Sequence, residues 1–329
     1  MRKVEQMTSS EKIFKYLQDR LGKNLRLLLI PYKRDMWDCL EGIYNIANNT
    51  EGCTVKVCPI PYTFRAIGNE PVRWFLDDFS DVCSGNILEY QKKPKRGEYD
   101  AILFHNPYDN ANFVTSVHPA FYSNRLKGLS KLLCFVPYGI GDSMAKLMPG
   151  LVNADIVFTE NEYITQEVTR QILEEGGTEE EAALICEKFI LVGSTKFELN
   201  LNQQVPEEWI QKIKGKKVIL ITTSLIPFLR DPATEMLNVN TVISEFRKKD
   251  DHVIIWREHP LMKPTILAMQ PMYAESYGRF QRNFIEQELG IMDRTQDYRI
   301  AFSVADVLYS DPSSLTAIWR QTGKELHIL

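Results

Sequence analysis

The sequence predicts an α/β fold of two doubly wound halves facing a cleft. Three observations carry that reading. Apolar runs of strand length recur along the 329 residues with helical patterns between them, the alternation that builds parallel sheets. The first run, Leu25–Ile30, is apolar except for Arg26, as a strand buried on both faces requires. The alternation stops in a polar stretch, Gly193–Glu207, and restarts at Lys217. At roughly 150 residues per domain the length also fits two domains, each expected to be Rossmann-like.

The elements follow in order. Residues 1–23 form an N-terminal amphipathic segment: Thr8-Ser9-Ser10-Glu11 has capping-box spacing, and Ile13, Phe14, Leu17 and Leu21 share a helical face. Such a stripe docks on its own domain, touches a membrane surface or pairs with another chain, and docking is the commonest fate. Residues 24–200 make the first domain. Its strands are Leu25–Ile30, Thr54–Ile60, Ala101–Phe104, Leu132–Val136, Asp155–Thr159 and Phe189–Val192. Its helices are Met36–Ala47, capped by Asp35, then Pro71–Val82, Glu160–Glu174 and Thr178–Glu187. Residues 201–329 make the second, with strands Lys217–Thr222, His252–Trp256, Gly290–Asp293, Asp306–Tyr309 and Glu325–Leu329. The helices between them are Thr234–Lys248, Pro264–Glu288 with a break at Pro271, Asp297–Val304 and Ser314–Gln321.

Composition narrows the function. Lys plus Arg total 39 against 43 Asp plus Glu, a net charge of -4, so no overall positive field recruits nucleic acid. Any phosphorylated ligand must be held by a local cluster. The six cysteines contain no C-x-x-C pair, and they read as reduced thiols of a cytoplasmic protein. No apolar run reaches about 18 residues and the N-terminus has no apolar signal core. There is no G-x-G-x-x-G, P-loop, G-x-S-x-G or H-E-x-x-H, so dinucleotide, NTPase, hydrolase-elbow and zincin chemistries lack support.

In doubly wound sheets ligands bind outside the carboxyl ends of the strands, so the residues just after each strand matter most. In the second half these are Thr222-Thr223-Ser224, Arg257-Glu258-His259-Pro260 and Ser310-Asp311-Pro312-Ser313-Ser314. Ser313 and Ser314 open a helix and either bind an anion or simply cap it, with Pro312 fixing the first turn. Arg257 can fork to a phosphate, and His259 can hydrogen-bond one or protonate a leaving group. The bland alternative for His259-Pro260 is a strand terminus with a satisfied imidazole. In the first half Lys33, Arg34 and Asp35 follow the first strand, His105 ends the third, His118 lies in the next connection, and Tyr138 follows the fourth. A general base would project from the position of His105, although a lone His more often serves the core or a cap. Lys92, Lys93, Lys95 and Arg96 face an anionic acceptor, a membrane surface or merely water.

These stretches together resemble the CDP-glycerol glycerophosphotransferase family, the teichoic-acid-type polymerases and primases of Gram-positive bacteria. The segments that carry the resemblance are IPYKRDMWDCLEGIY, VCPIPY, FHNPYDNANFVTSVHPAFYS, FVPYGIG, FILVGSTKFE, KKVILITTS, WREHPL and YSDPSSLTAIWRQTGK, in order between residues 30 and 324. The pair WREHPL and SDPSSL is similar to the family's donor site. The resemblance implies a glycosyltransferase-B-like (GT-B-like) architecture with an acceptor-side first half and a nucleotide-binding second half. It implies transfer of glycerol phosphate from CDP-glycerol to a hydroxyl with release of CMP, no protein-bound metal and no cofactor. Donor phosphate would be held by Arg257, His259, Ser313 and Ser314, with Thr223 and Ser224 beside them. Lys33, Arg34, Asp35 and Tyr138 would lie on the acceptor side, facing an anionic polyol-phosphate or glycan.

The chain departs from the family pattern in three places. Where members carry a His-Gly-type segment whose His resembles an acceptor-activating base, this sequence reads Val136-Pro137-Tyr138-Gly139; His105 and His118 are the candidates to replace it. Glu258 stands where members often have Pro, beside the expected phosphate. The chain stops at Leu329 on a strand, where GT-B-like domains usually add a helix, so a truncated C-terminal end or an edge covered by oligomerisation is expected. The leading expectation is a cytoplasmic glycerol-phosphate or polyol-phosphate transferase of teichoic-acid-type polymer synthesis, with room for peripheral association with the inner membrane face. The alternatives are a non-catalytic or truncated relative that binds nucleotide or a partner, and a UDP- or GDP-sugar-dependent GT-B enzyme.

Overall fold

A computed structural model describes residues 7–65, 71–141 and 147–329. Contacts divide it into two units, one holding residues 7–64 and 71–198, the other Arg65 and residues 199–329.

The first unit opens with helix α1 (Ser9–Leu21). Glu11 N–H donates to Thr8 Oγ1 at 3.2 Å, and Thr8 N–H donates to Glu11 Oε2 at 2.7 Å, the reciprocal cap that its spacing promised. Ile13, Phe14 and Leu17 are buried, so the stripe docks on its own unit, at about 1.5–3 kcal/mol for each large side chain. Residues 1–6 of the expected N-terminal segment lie outside the described residues. After β1 (Arg26–Ile30) comes α2 (Asp38–Asn49). A Cβ on Gly42 would stand 2.3 Å from Ser10 Oγ, so the close approach of α1 to α2 requires glycine there.

The chain continues through β2 (Thr54–Val57), β3 (Tyr62–Arg65), β4 (Pro71–Phe75), β5 (Ala101–Phe104), β6 (Thr115–Val117) and α3 (Ser123–Leu126). It then runs through β7 (Leu132–Phe135), α4 (Pro149–Asn153), β8 (Ile156–Thr159), α5 (Glu162–Glu174), α6 (Glu179–Cys186) and β9 (Phe189–Leu191). The main sheet has the order β2-β1-β5-β7-β8-β9, all parallel. Its central strands are buried on both faces: odd residues of β1 (Leu27, Leu29) join one apolar cluster and even ones (Leu28, Ile30) the other.

Two sequence expectations fail in this unit. Pro71–Val82 is not a helix; Pro71–Phe75 is strand β4 in a small sheet of order β4-β3-β6. Phe75 packs on Tyr62 and Phe64 at 5.7 and 5.1 Å, and Asp78 then accepts the Ser80 N–H at 2.8 Å, a turn-forming bond that competes with helix. Asp35 does not cap α2. It lies in a 3₁₀ turn, Arg34–Met36, that precedes the helix, and its carboxylate faces the Lys33 ammonium at 3.1 Å.

The second unit comprises α7 (Glu207–Ile213), β10 (Lys217–Thr223), α8 (Leu225–Arg230), α9 (Pro232–Phe246), β11 (His252–Glu258) and α10 (Met262–Met269). It continues with α11 (Ala274–Glu286), β12 (Ile291–Met292), α12 (Tyr298–Val304), β13 (Val307–Ser310), α13 (Ser314–Trp319) and β14 (Glu325–Ile328). The helical stretch expected over 264–288 breaks at Gln270–Pro271, where proline opens a 3₁₀ turn. The sheet order is β12-β11-β10-β13-β14, all parallel. Both sheets reverse their strand order once, between β1 and β5 and between β10 and β13, and such switch points open the ligand crevices of doubly wound folds. Each unit is therefore Rossmann-like, the fold class that the alternation predicts.

Candidate functional site

The carboxyl ends of β10, β11 and β13 finish level: Thr222 is in register with Arg257 on one side and Ser310 on the other. Their following loops thus leave one sheet edge side by side. Thr222 Oγ1 donates to Ser310 Oγ at 2.6 Å, and Ser310 Oγ donates to the Asp311 carbonyl at 2.9 Å. Ser224 N–H donates to Asp311 Oδ2 at 2.7 Å. These bonds lock the β10 and β13 loops together across the switch point. Ser224, His259, Ser313 and Ser314 are all part-exposed there, whereas Thr223 is buried.

Leu261 N–H donates to His259 Nδ1 at 3.0 Å. In the neutral ring the proton then sits on Nε2, which makes that atom a donor. At the head of α13 the Ser313 N–H donates to Thr316 Oγ1 at 2.9 Å, so one backbone donor is already used by the cap.

Arg257 is tied into the fold. Its side chain is buried, and Nη1 donates to Asp293 Oδ2 at 2.6 Å and to Thr295 Oγ1 and O at 3.1 Å each. A buried guanidinium needs such a partner, and this one ties the β11 end to the loop after β12. Glu258 projects from the opposite face of the strand and accepts hydrogen bonds from Tyr277 Oη at 2.7 Å and from Gln281 Nε2. Burial raises its pKa, partly offset by the Tyr277 bond and by the charges of Lys263 and Arg294. Its carboxylate is thus directed to α11. Lys263 and Arg294 are exposed and bring positive charge to this edge; sequence reading passed over both, Lys263 because it lies within a helix and Arg294 although it directly follows the expected strand Gly290–Asp293.

In the first unit the expected acceptor-side residues gather beyond β1, β5 and β7. The Lys33 ammonium, paired with Asp35, lies over the Tyr62 ring at 5.1 Å. Arg34 is buried, with its N–H on Asp77 at 2.8 Å and Nη2 on Asp81 at 3.1 Å. Tyr138 Oη donates to Tyr108 Oη at 3.1 Å, with its ring 6.2 Å from that of His105.

Neither histidine offers a free lone pair in its neutral form. His105 is completely buried; Tyr32 N–H donates to its Nε2 at 3.0 Å, and its Nδ1 is 3.2 Å from Cys39 Sγ. The proton on Nδ1 therefore points to sulfur, whose own thiol donates to Met36 O at 3.0 Å. Burial lowers its pKa to about 3. His118 accepts the Ala120 N–H on Nδ1 at 3.2 Å and packs on Trp74 at 5.1 Å, which makes it a cap of the 119–121 turn. Burial, helped by Lys93, lowers its pKa as well. At each position one ring nitrogen accepts a backbone N–H and, in the neutral ring, the other carries the proton.

Among the described residues no group of three or more His, Cys, Asp and Glu side chains is arranged to hold a metal. Among the described residues no helix is long and apolar enough to cross a membrane, and all six cysteines are unbridged.

No protein-family model and no curated protein matches the chain. Solved structures do. A UDP-N-acetylglucosamine 2-epimerase from Listeria monocytogenes, so described putatively, shares 12% identity at a TM-score of 0.51, over 93% of this chain and 79% of that one. The UDP-GlcNAc 2-epimerase of Neisseria meningitidis, bound to UDP-GlcNAc, shares 13% at 0.51, over 93% and 82%. The wall teichoic acid polymerase TagF soaked with CDPG shares 13% at 0.48, over 98% and 74%. The two epimerase likenesses establish the fold, a GT-B-like pair of Rossmann-like units; the polymerase, below one half, adds nothing to it.

Proposed function

We propose that the chain transfers glycerol phosphate, or a related polyol phosphate, from a CDP-activated donor to a hydroxyl of an anionic polyol-phosphate or glycan acceptor. The observation that carries this reading is the row of part-exposed hydrogen-bond donors, Ser224, His259, Ser313 and Ser314, around the β10/β13 switch point. The motif resemblance across both halves supports the choice of donor. In this reading His259 Nε2–H and the serine hydroxyls hold the donor phosphates, while Lys263 and Arg294 supply the charge first expected from Arg257. The acceptor oxygen attacks the phosphorus of the glycerol phosphate, the bond to CMP breaks, and the acceptor loses its proton. Positioning and charge neutralisation then provide most of the catalysis. The place of action would be the cytoplasmic face of a membrane, in cell-wall polymer synthesis.

A second reading, a nucleotide-binding relative without turnover, is favoured by one observation: His105 and His118 are both committed to the fold. The test is calorimetry with CDP-glycerol and CMP on wild type and on His259→Ala and Ser313→Ala. Each lost charge-assisted hydrogen bond should weaken binding by about 1.5–3 kcal/mol. Undiminished binding in both variants contradicts the site. Binding without CMP release in the presence of acceptor selects the second reading, and binding of UDP in place of CMP selects a UDP-sugar enzyme of the same fold.

A further inference from the structure

Strand β4 is the edge of the small sheet β4-β3-β6 in the first unit. Arg73 and Phe75 share one face of it, where Phe75 packs on Tyr62 and Phe64. Val72 and Trp74 take the other, and with Leu76 they are 61%, 45% and 51% exposed. Contiguous exposed apolar side chains mark an interaction surface. The Trp74 ring lies 5.1 Å from that of His118, and Tyr90 lies 6.3 Å from the same histidine. Two residues beyond Tyr90 begins an exposed basic run, Lys92, Lys93, Lys95 and Arg96, interrupted only by Pro94. Burial and then the charge of Lys93 lower the His118 pKa, so that ammonium acts on the ring that Trp74 touches. The neighbouring acidic groups are engaged. Asp77 accepts the Arg34 N–H and the Tyr62 hydroxyl, and Asp78 accepts from Ser80. Glu89 pairs with Lys92 at 3.3 Å, but the two side chains are 71% and 74% exposed, where such pairs are weak.

We infer that Val72, Trp74 and Leu76, with Lys92 and Lys93 beside them, dock the first unit on a bilayer that carries anionic lipid headgroups. Apolar side chains flanked by aromatic rings and ammonium groups match the boundary between acyl chains and anionic headgroups. A strand added by another protein chain fits this edge less well, because β4 begins at Pro71, which has no N–H to offer it. The net charge of -4 would repel an anionic surface, so attraction has to come from a local cluster such as this one. Docking would bring the proposed transfer to a membrane face, but it needs no nucleotide and is tested without one.

The test is flotation of the full chain with vesicles of phosphatidylcholine, with and without phosphatidylglycerol. Trp37, Trp209, Trp256 and Trp319 are buried, so quenching of fluorescence by brominated acyl chains reports on Trp74. The expected result is binding to the phosphatidylglycerol vesicles with quenching, and at least about tenfold weaker binding to phosphatidylcholine alone. Trp74→Ser, and separately Lys92→Gln with Lys93→Gln, each verified by an unchanged melt, should weaken binding at least about tenfold. The same charge change at Lys214 and Lys216, which are exposed in the second unit, should leave it nearly unchanged. Absence of binding, binding without quenching, or an equal loss in the Lys214 and Lys216 variant overturns the surface. Self-association that Trp74→Ser abolishes, without any vesicle binding, overturns it in favour of a second copy of the chain.

Discussion

His105 shows how a residue placed where a base would stand can instead serve the fold. It directly follows β5, next to the sheet's switch point, but Tyr32 N–H and Cys39 Sγ occupy its two nitrogens and no water reaches it. Its position was legible in the sequence; its burial was not, because burial depends on Tyr32, Tyr138 and Cys39 closing over it from three other segments. The consequence for acid stability has a definite sign. With a folded pKa depressed to about 3, the ring stays neutral in the native state while the unfolded chain takes up a proton below the ordinary imidazole value. The contribution of His105 is therefore complete above about pH 6.5 and is lost as pH falls below it, at up to about 1.4 kcal/mol per pH unit. His105→Gln keeps an acceptor for Tyr32 N–H but does not titrate. Denaturant melts between pH 7 and pH 4 should show a shallower fall for the variant than for wild type; parallel slopes would contradict the assignment. Arg257 makes the complementary point, since spacing could place it at the sheet edge but could not foresee Asp293 taking its charge.

At the scale of elements, the strongly apolar parallel strands were read from sequence because burial on both faces leaves an unmistakable run, as in Leu27–Ile30. The β3, β4 and β6 strands were not. Val72, Phe75, Leu76 and Phe79 recur at spacings that imitate an amphipathic helix, yet only Phe79 is fully buried, and Val72 and Leu76 are 61% and 51% exposed. The pattern had the right period and the wrong partner: β4 is held by pairing with β3, a contact between segments that local periodicity does not report. Strand β12 is a case where one atom decides. A Cβ at Gly290 would stand 2.4 Å from the Ile254 carbonyl oxygen and 2.9 Å from Phe284 Cζ, so β12 reaches β11 only through glycine. Gly290→Ala should destabilise the second unit by about 1–3 kcal/mol, as overpacking against backbone does, read as a lower denaturation midpoint. An unchanged midpoint would mean that β12 does not approach β11 as described.

At the scale of the whole molecule, two parallel sheets, each with one switch point, repeat the same way of making a crevice from short loops. Sequence reading found that plan, and it named Thr223, Ser224, His259, Ser313 and Ser314 for the second sheet's edge because they directly follow strands. It missed Lys263, which reaches the same edge from within α10, a position that no strand-end rule selects, and Arg294, although Arg294 directly follows the expected strand Gly290–Asp293. The central claim is that this edge binds a cytidine diphosphate donor. The most direct measurement is calorimetric titration of the chain with CDP-glycerol, with CMP and UDP as comparators. Saturable binding of CDP-glycerol and CMP without UDP is the predicted result; no heat from any of the three would contradict it.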